Sequence, residues 1–356
     1  MQETGFTKAR SNGALADAVE IRGGSIARVF ARAELPLSLI DQPELLVPLR
    51  DQVHLLEYAS REIGDDALSA RLASEAGVPG LGVYGDRLLS APRLEAAIAR
   101  ASLLIGGLLQ SSTSLRLDID GPWARWTYDI SLSIEVGRQK HDILALGYML
   151  DLLRRFAGPR WTPPQVEVIG PPIMGRAVVQ DVLSCELSRG DVSAIVFPSD
   201  LLELPSLHPG LPDEGGIVEI DTPVPDPRDI VKCVEHLIRL ALLEDRPRVD
   251  WVARKMDLSG RSLQRHLSIH NTTFEAVMDR VLIRHAATLL EQGETQITQV
   301  AMQLGYADPS HFVRAFRRWT GQTPGEFRRS LGITRSSMRG LRRRASSLRS
   351  AARIGS

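Results

Sequence analysis

Three polar side chains lie on one face of a short segment, and their functional groups are suited to hydrogen bonding with the bases of DNA. Arg261, Gln264 and Arg265 stand at i, i+3 and i+4, a spacing that places them on one side of a helix. Arginine can donate two hydrogen bonds to guanine, and glutamine can pair similarly with adenine. Leu263 and Leu267 fall on the opposite, inward face. The segment therefore predicts a helix with one apolar face and one face able to contact base edges.

A second segment, farther along the chain, is divided in the same way. Phe312, Phe316 and Trp319 form its apolar side. Its start and its opposite side are occupied by Pro309, Ser310, His311, Arg314 and Arg317. Asp308 supplies an N-cap acceptor and Pro309 a first-turn proline, so the helix is predicted to begin there. This is the composition of a helix that enters the major groove.

Each of these helices follows a shorter amphipathic one, which is the order of elements in a helix-turn-helix. The apolar positions of the two shorter helices repeat at i, i+3, i+4 and i+7: Val249, Val252, Ala253 and Met256 in the first, Ile297, Val300, Ala301 and Leu304 in the second. Ser259 is a suitable N-cap after the first, and Gly305 ends the second. Residues 274–294 predict one long helix that would hold the two units at a fixed separation. A capping box formed by Thr323 and Glu326 predicts a final helix.

This arrangement closely resembles the DNA-binding domain of the AraC family of bacterial transcription regulators. The resemblance rests on A-x-x-x-x-L-S-x-R-x-L-Q-R-x-L at 253–267 and on G-Y-x-D-P-S-H-F-x-R-A-F-R-R-W-T-G-x-T-P-x-E-F at 305–327. It implies base contacts in successive major-groove segments for Arg261, Gln264, Arg265, Pro309, Ser310, His311 and Arg314. The DNA-backbone contacts that we expect beside them are Arg317, Arg318, Ser259 and Thr323.

Two features depart from the family pattern. Many relatives have arginine in the long helix where this chain has Leu282, so the contact made by that arginine is not carried over. Many also begin each shorter helix with serine or threonine, where this chain has Arg248 and Gln296.

The charge is distributed unevenly along the 356 residues, although the whole chain has a formal net charge of zero. From Ala253 to the C-terminus there are 18 lysines and arginines and 7 aspartates and glutamates, a net charge of +11, and the preceding residues carry −11. This asymmetry predicts a nucleic-acid-binding end on an acidic body. Residues 332–356 include seven arginines and no acid, and we expect a disordered tail that either tracks the phosphate backbone or is simply solvated.

The preceding residues predict an α+β domain. Helical periodicity dominates up to about Leu109, and alternation follows in a hairpin around Asp120-Gly121. The predicted organisation is a disordered N-terminus at 1–24, a ligand-sensing and dimerising domain at 25–210, a linker at 211–229, an all-α DNA-binding domain at 230–331 and the tail. The domain at 25–210 resembles the effector domain of an AraC subgroup called arabinose-binding, which includes regulators of ornithine catabolism. The label is not taken as evidence for arabinose.

The sequence predicts no catalytic, metal or cofactor site. Trp123, Trp126 and Tyr128 are candidates for the wall of an effector pocket, although aromatic residues on a strand more often belong to a core. No apolar stretch of about 18 residues and no secretory segment is evident, so we expect a cytoplasmic protein, associated with the nucleoid when bound to DNA.

The interpretation is a transcription regulator, not an enzyme. We expect it to bind double-stranded promoter DNA, to respond to an unidentified small molecule, to recruit RNA polymerase as an activator and to form a homodimer. One alternative is a constitutive DNA binder. Another is an alkyl-transfer repair enzyme on the same module, in which Cys233 beside His236 would be the nucleophile; Cys185 is the second cysteine of the chain.

Overall fold

The computed structural model describes residues 3–207, 222–244, 246–293 and 295–331. The chain divides into two compact units between His236 and Leu237. The predicted tail and residues 211–221 of the predicted linker lie outside the described residues. The domain limits at 210 and 230 stay predictions.

The N-terminal unit is an α+β fold, as predicted. Its described helices are α1 (Leu15–Ile21), α2 (Ile26–Arg32), α3 (Leu49–Ile63), α4 (Leu68–Ala76), α5 (Val83–Leu89), α6 (Leu94–Leu108), α7 (Arg138–Ala157) and α8 (Arg176–Leu183). Its described strands are β1 (Phe6–Lys8), β2 (Leu46–Pro48), β3 (Thr113–Asp120), β4 (Trp123–Ile130), β5 (Gln165–Val168), β6 (Leu187–Arg189) and β7 (Ser193–Pro198). Helix α9 (Ile230–Ala241) begins in this unit and ends in the next.

Among the described residues, one sheet has five strands in the order β3-β4-β7-β5-β6, and β1 pairs with β2 separately. The hairpin predicted around Gly121 is present: β3 and β4 are antiparallel, with Leu115 opposite Tyr128. Ala124, Trp126 and Tyr128 occupy alternate positions of β4, so their side chains lie on the same face of the sheet. All three are buried. Helix α7 packs against this sheet and against α3 and α4.

A buried ion pair ties α7 to the sheet. Asp142 is fully buried, and its carboxylate accepts hydrogen bonds from Nε of Arg138 at 2.7 Å and from Oγ of Ser193 at 2.6 Å. Arg138 also donates to Oδ1 of Asp129 at 2.9 Å. Burial raises the pKa of Asp142 to about 6, and Arg138 and Ser193 oppose that rise. One helical turn of α7 is therefore connected to both β4 and β7.

The predicted disorder of residues 1–24 is wrong over most of this range. Phe6 is 0% exposed, its N–H donates to Oγ of Ser111 at 2.9 Å, and β1 pairs with β2 in an antiparallel register. Helix α1 follows, with Leu15 and Val19 buried. Partners far along the chain order this segment, and a local composition that looks polar does not reveal them.

The C-terminal unit is all-α in the described residues, as predicted. After the end of α9 its helices are α10 (Val249–Lys255), α11 (Gly260–Ile269), α12 (Phe274–Glu291), α13 (Ile297–Gln303), α14 (Pro309–Thr320) and α15 (Pro324–Ser330). Helix α12 packs against α13, α14 and α15. None of the helices in the described parts of the chain combines the length and apolar composition needed to cross a membrane.

Asp142→Ala is expected to lower the free energy of unfolding of the N-terminal unit by about 3 kcal/mol. The loss is at the low end for a broken buried pair, because Arg138 keeps Asp129 as a partner. Urea denaturation measures it. The matched control is Asp118→Ala, which removes the exposed partner of Arg116 and should cost less than about 1 kcal/mol. Equal losses in the two variants would contradict the structural role given to Asp142.

Candidate functional site

The first helix-turn-helix consists of α10 and α11. Val252 and Ala253 are the buried residues of α10, and the N–H of Leu258 returns to the carbonyl of Ala253 at 2.9 Å to close the turn. Asp257 takes a positive φ of 53° within it, a conformation that aspartate tolerates better than most residues. Ser259 then caps α11 by accepting a hydrogen bond from the N–H of Ser262 at 3.1 Å.

Helix α11 has the two faces that its sequence predicts. Leu263 and Leu267 are fully buried, whereas Arg261, Gln264 and Arg265 are exposed. Within the described residues, no hydrogen bond or ion pair involves the side chains of these three exposed residues. Because no described residue uses their hydrogen-bonding groups, these groups are available to a ligand.

The second helix-turn-helix consists of α13 and α14. Gly305 adopts φ +75° after α13, in the left-handed region where a side chain is unfavourable, and the N–H of Tyr306 returns to the carbonyl of Ala301 at 2.9 Å. The Asp308 carboxylate accepts from the N–H of Ser310 at 2.8 Å and so begins α14. Hydrogen bonds from Ser310 hold the pKa of Asp308 below its usual value. The predicted start of the helix is confirmed.

An aromatic cluster determines the orientation of α14. Phe312 and Phe316 are fully buried, with ring centroids 5.7 Å apart, and Phe316 lies 5.5 Å from Phe327 of α15. Tyr306 lies 5.7 Å from Phe312. Trp319 is half-buried, so it belongs less completely to the core than the sequence predicts.

The opposite face of α14 is open to solvent. Its exposed residues are Ser310, His311, Arg314, Arg317 and Arg318, and Pro309 is half-buried at the start of the helix. Arg318 lies 3.4 Å from the carboxylate of Asp279 on α12, a contact that holds the side chain near the junction of the two helices. Both helix-turn-helix units therefore place an arginine-bearing face outward.

Helix α12 joins the two helix-turn-helix units, and it contains Leu282, the residue that departs from the arginine of the family pattern. Leu282 is fully buried, together with Val281 and Ala286. An apolar side chain in this position contributes to packing and cannot contact a phosphate.

Thr323 caps α15 in the predicted capping box. Its hydroxyl accepts a hydrogen bond from the N–H of Glu326 at 3.3 Å, and its own N–H donates to the Glu326 carboxylate at 2.7 Å.

The N-terminal unit contains a second candidate, a cavity of about 60 Å³ that we call the N-terminal cavity. It lies between α3, α6, α7 and the β3–β4 hairpin. Its wall is formed by Ser11, Gln52, Leu81, Tyr84, Ile105, Leu109, Gln110, Leu115, Tyr128, His141, Leu144, Ala145, Tyr148 and Met149. Mostly apolar walls with a few polar groups are typical of small-molecule sites.

A chain of hydrogen bonds crosses one side of the cavity. Nε2 of Gln110 donates to the hydroxyl oxygen of Tyr128 at 2.7 Å, and that hydroxyl lies 2.8 Å from Nε2 of His141. Burial, aided by the charge of Arg138, lowers the pKa of His141 to about 3, so the imidazole is neutral near pH 7. Burial also raises the pKa of Tyr128.

Of the three aromatic residues proposed from the sequence for a pocket wall, the structure brings only Tyr128 to the cavity. Trp126 is buried on the same face of β4 but is not among the residues that line the cavity. Trp123 is 46% exposed at the first position of β4, beside the hairpin turn. Gln52, Gln110 and Tyr148 are not recognised from the sequence. Gln52 could have been, since it interrupts the apolar stripe of α3.

Comparison with known protein families assigns both units. The model of the arabinose-binding N-terminal domain of AraC transcription regulators matches residues 23–206, which is more than half of the chain, and a helix-turn-helix domain model matches residues 252–330. The chain belongs to the AraC family of transcription regulators. The fold class and the family resemblance predicted from the sequence are thereby confirmed.

Individual AraC-family relatives are similar over a limited region. The ornithine utilization regulator of Pseudomonas aeruginosa is 43% identical over 89 residues, which are 25% of this chain and 26% of that protein. The virulence regulon transcriptional activator VirF of Shigella flexneri is 29% identical over 85 residues, 24% of this chain and 32% of that protein. The chain thus spans about a quarter to a third of the length of these relatives. The crystal structure of transcriptional regulator CdpR from P. aeruginosa covers 87% of this chain and 98% of its own, with a TM-score of 0.40 and 20% identity.

The family assignment and the cysteines both argue against the alkyl-transfer alternative. Cys233 is fully buried, and burial raises the pKa of its thiol to about 12, with Asp229 and Asp226 adding to the rise. Burial likewise raises the pKa of Cys185 to about 11. A nucleophilic cysteine needs the opposite, an accessible thiol with a lowered pKa. Within the described residues, no cluster of three or more histidine, cysteine, aspartate or glutamate side chains is suited to a metal ion.

Proposed function

We propose that this AraC-family protein binds specific double-stranded DNA sequences through both helix-turn-helix units and thereby regulates transcription. One observation carries the proposal: α11 and α14 each bury one face completely and present arginines on the other. The two helices would enter successive major-groove segments separated by about one helical turn, roughly 34 Å. Residues 253–331, which include both recognition helices, have 11 lysines and arginines against 7 aspartates and glutamates, and this net charge of +4 favours the approach of this part of the chain to phosphates.

The residues proposed to contact DNA divide into two groups by the part of the DNA that they would touch. Base edges would be contacted by Arg261, Gln264 and Arg265 of α11 and by Pro309, Ser310, His311 and Arg314 of α14. Phosphates would be contacted by Arg317, Arg318, Ser259 and Thr323. The Ser259 hydroxyl already bonds to Ser262, so its contribution would come through the helix N-terminus that it caps. Thr323 has the least support, because the Glu326 carboxylate lies 2.8 Å from its hydroxyl and would repel a phosphate.

The regulator would act in the cytoplasm on nucleoid DNA and respond to a small molecule held by its N-terminal domain. The family description of residues 23–206 supports a ligand-binding role for that domain. We propose that the protein activates transcription by recruiting RNA polymerase. The activator among its relatives, VirF, supports this proposal. We also propose that the active form is a homodimer.

Arg265→Ala and Arg314→Ala are each expected to weaken binding to the preferred site by about 1 to 3 kcal/mol and to relax base preference over a few adjacent positions. Binding selection from a randomised DNA library, followed by titration of the selected sites, measures both effects. Arg160→Ala is the matched control, since Arg160 is an exposed arginine of the N-terminal unit. A base preference identical to that of the unmodified protein in either variant would contradict the assignment.

Arg317→Ala should instead weaken binding to all sequences alike and reduce the slope of log K against log salt concentration by about 1, because one phosphate contact is lost. Titrations on the selected site and on an unrelated duplex at several salt concentrations test this. An unchanged slope, or a loss confined to the selected site, would show that Arg317 does not contact the phosphate backbone.

A further inference from the structure

The N-terminal cavity is suited to an uncharged ligand. Among the described residues that line it, none is an arginine, lysine, aspartate or glutamate, and His141 is neutral. An ion entering these surroundings would lose its hydration without gaining a counter-charge, which makes its transfer unfavourable. The cavity has a volume of about 60 Å³. One water-sized group needs about 10–15 Å³ of such space, so the cavity has room for roughly four to six non-hydrogen atoms.

Gln52 provides an acceptor that no described residue uses. Its side chain is 0% exposed, and its Nε2 donates to Oγ of Ser11 and to Oδ1 of Asn12, both at 2.8 Å. These two bonds use both amide hydrogens. The remaining polar atom, Oε1, is buried and has no hydrogen-bond partner within the described residues. A buried amide oxygen without a partner is unfavourable and is rare in folded proteins, so it points to a missing donor.

His141 provides a matching donor. Because the Tyr128 oxygen accepts a hydrogen bond from Gln110, the Tyr128 proton is free to point at Nε2 of His141. With that proton donated to Nε2, the neutral ring carries its own proton on Nδ1, and this is the tautomer that gives the Tyr128 hydroxyl proton an acceptor. Nδ1 is also buried without a partner in the described part of the chain. The cavity thus has one unused acceptor and one unused donor on two of the side chains that line it.

We propose that the N-terminal cavity binds a compact uncharged ligand through a polar group that donates one hydrogen bond to Oε1 of Gln52 and accepts one from Nδ1 of His141. A primary amide has both functions in a single group. The aliphatic walls, among them Leu109, Leu144 and Met149, would cover its apolar body. The inference rests on the proposed function only in treating this ligand as the effector of the regulator. Binding of the ligand is measured in the absence of DNA and does not depend on that function.

Propionamide, with five non-hydrogen atoms, is the probe, and the full-length protein labelled with ¹³C in its methionine methyl groups is the reporter. Met149 lines the cavity, whereas Met302 is exposed on α13 and serves as the internal reference. Propionamide should shift the Met149 signal saturably and leave the Met302 signal in place. Butanone has the same shape but cannot donate to Gln52, and propionate has the same shape but is charged. Each should bind at least tenfold more weakly than propionamide.

Ala145→Leu fills the cavity from α7 without removing a polar group, and it should weaken propionamide binding at least tenfold in a folded protein. Ala99→Leu makes the same substitution on the exposed face of α6 and should leave binding unchanged. The proposal is overturned if propionamide produces no saturable shift, if butanone or propionate binds as well, or if Ala145→Leu binds normally. If these binding tests fail while the protein still selects specific DNA sequences, the proposed ligand site is refuted and the proposed function is not. Propionamide binding by a protein that selects no DNA would refute the proposed function alone.

Discussion

Burial of Phe312 and Phe316 against Tyr306 and Phe327 determines which face of α14 remains in solvent. Removing an aromatic side chain of this size from water contributes about 1.5 to 3 kcal/mol, so rotating the helix would forfeit both contributions. With that rotation fixed, Arg314 must lie outside. The same constraint operates on α11 through Leu263 and Leu267. The polar faces are therefore a consequence of core packing, and their residues are free to be selected for what they contact.

Local patterns were sufficient to predict the C-terminal unit. The helices have regular apolar stripes, and their starts are determined by residues that act on the nearest backbone N–H groups, such as Ser259, Asp308 and Thr323. The hairpin of β3 and β4 was predictable for a related reason, because alternation over eight residues and a glycine at the turn are both local. In these elements the sequence and the fold are connected by interactions between near neighbours.

Long-range interactions account for what the sequence did not reveal. Phe6 is held by Ser111, a contact across 105 residues, and no property of the first 24 residues indicates it. Strand β6 has three residues, too few to display a period. The N-terminal cavity depends on Gln52, Gln110 and His141, which come from separate helices or their ends and become neighbours only in the folded unit. The residues expected to contact DNA were recognisable because they repeat on one helix face.

In the N-terminal unit, a firmly connected helix lies beside buried polar atoms that lack hydrogen-bond partners within the described residues. Asp142 joins α7 to the sheet through Arg138 and Ser193, while the adjacent His141 has a ring nitrogen with no partner among the residues that the structure describes. Buried polar groups usually have partners, and the firmly held helix makes it costly for His141 to move away and find one. A rigid frame around an unsatisfied donor and acceptor is the arrangement that a small-molecule site needs, since the ligand then completes contacts that are already positioned.

Hydroxyl-radical footprinting of the purified protein on a duplex chosen by binding selection tests the central claim, that two helix-turn-helix units of one chain read DNA together. Two protected segments on the same face of the duplex, centred about one helical turn apart for each bound chain, are the result that the account predicts. A single protected segment per chain, or protection that is the same on every sequence, would contradict it.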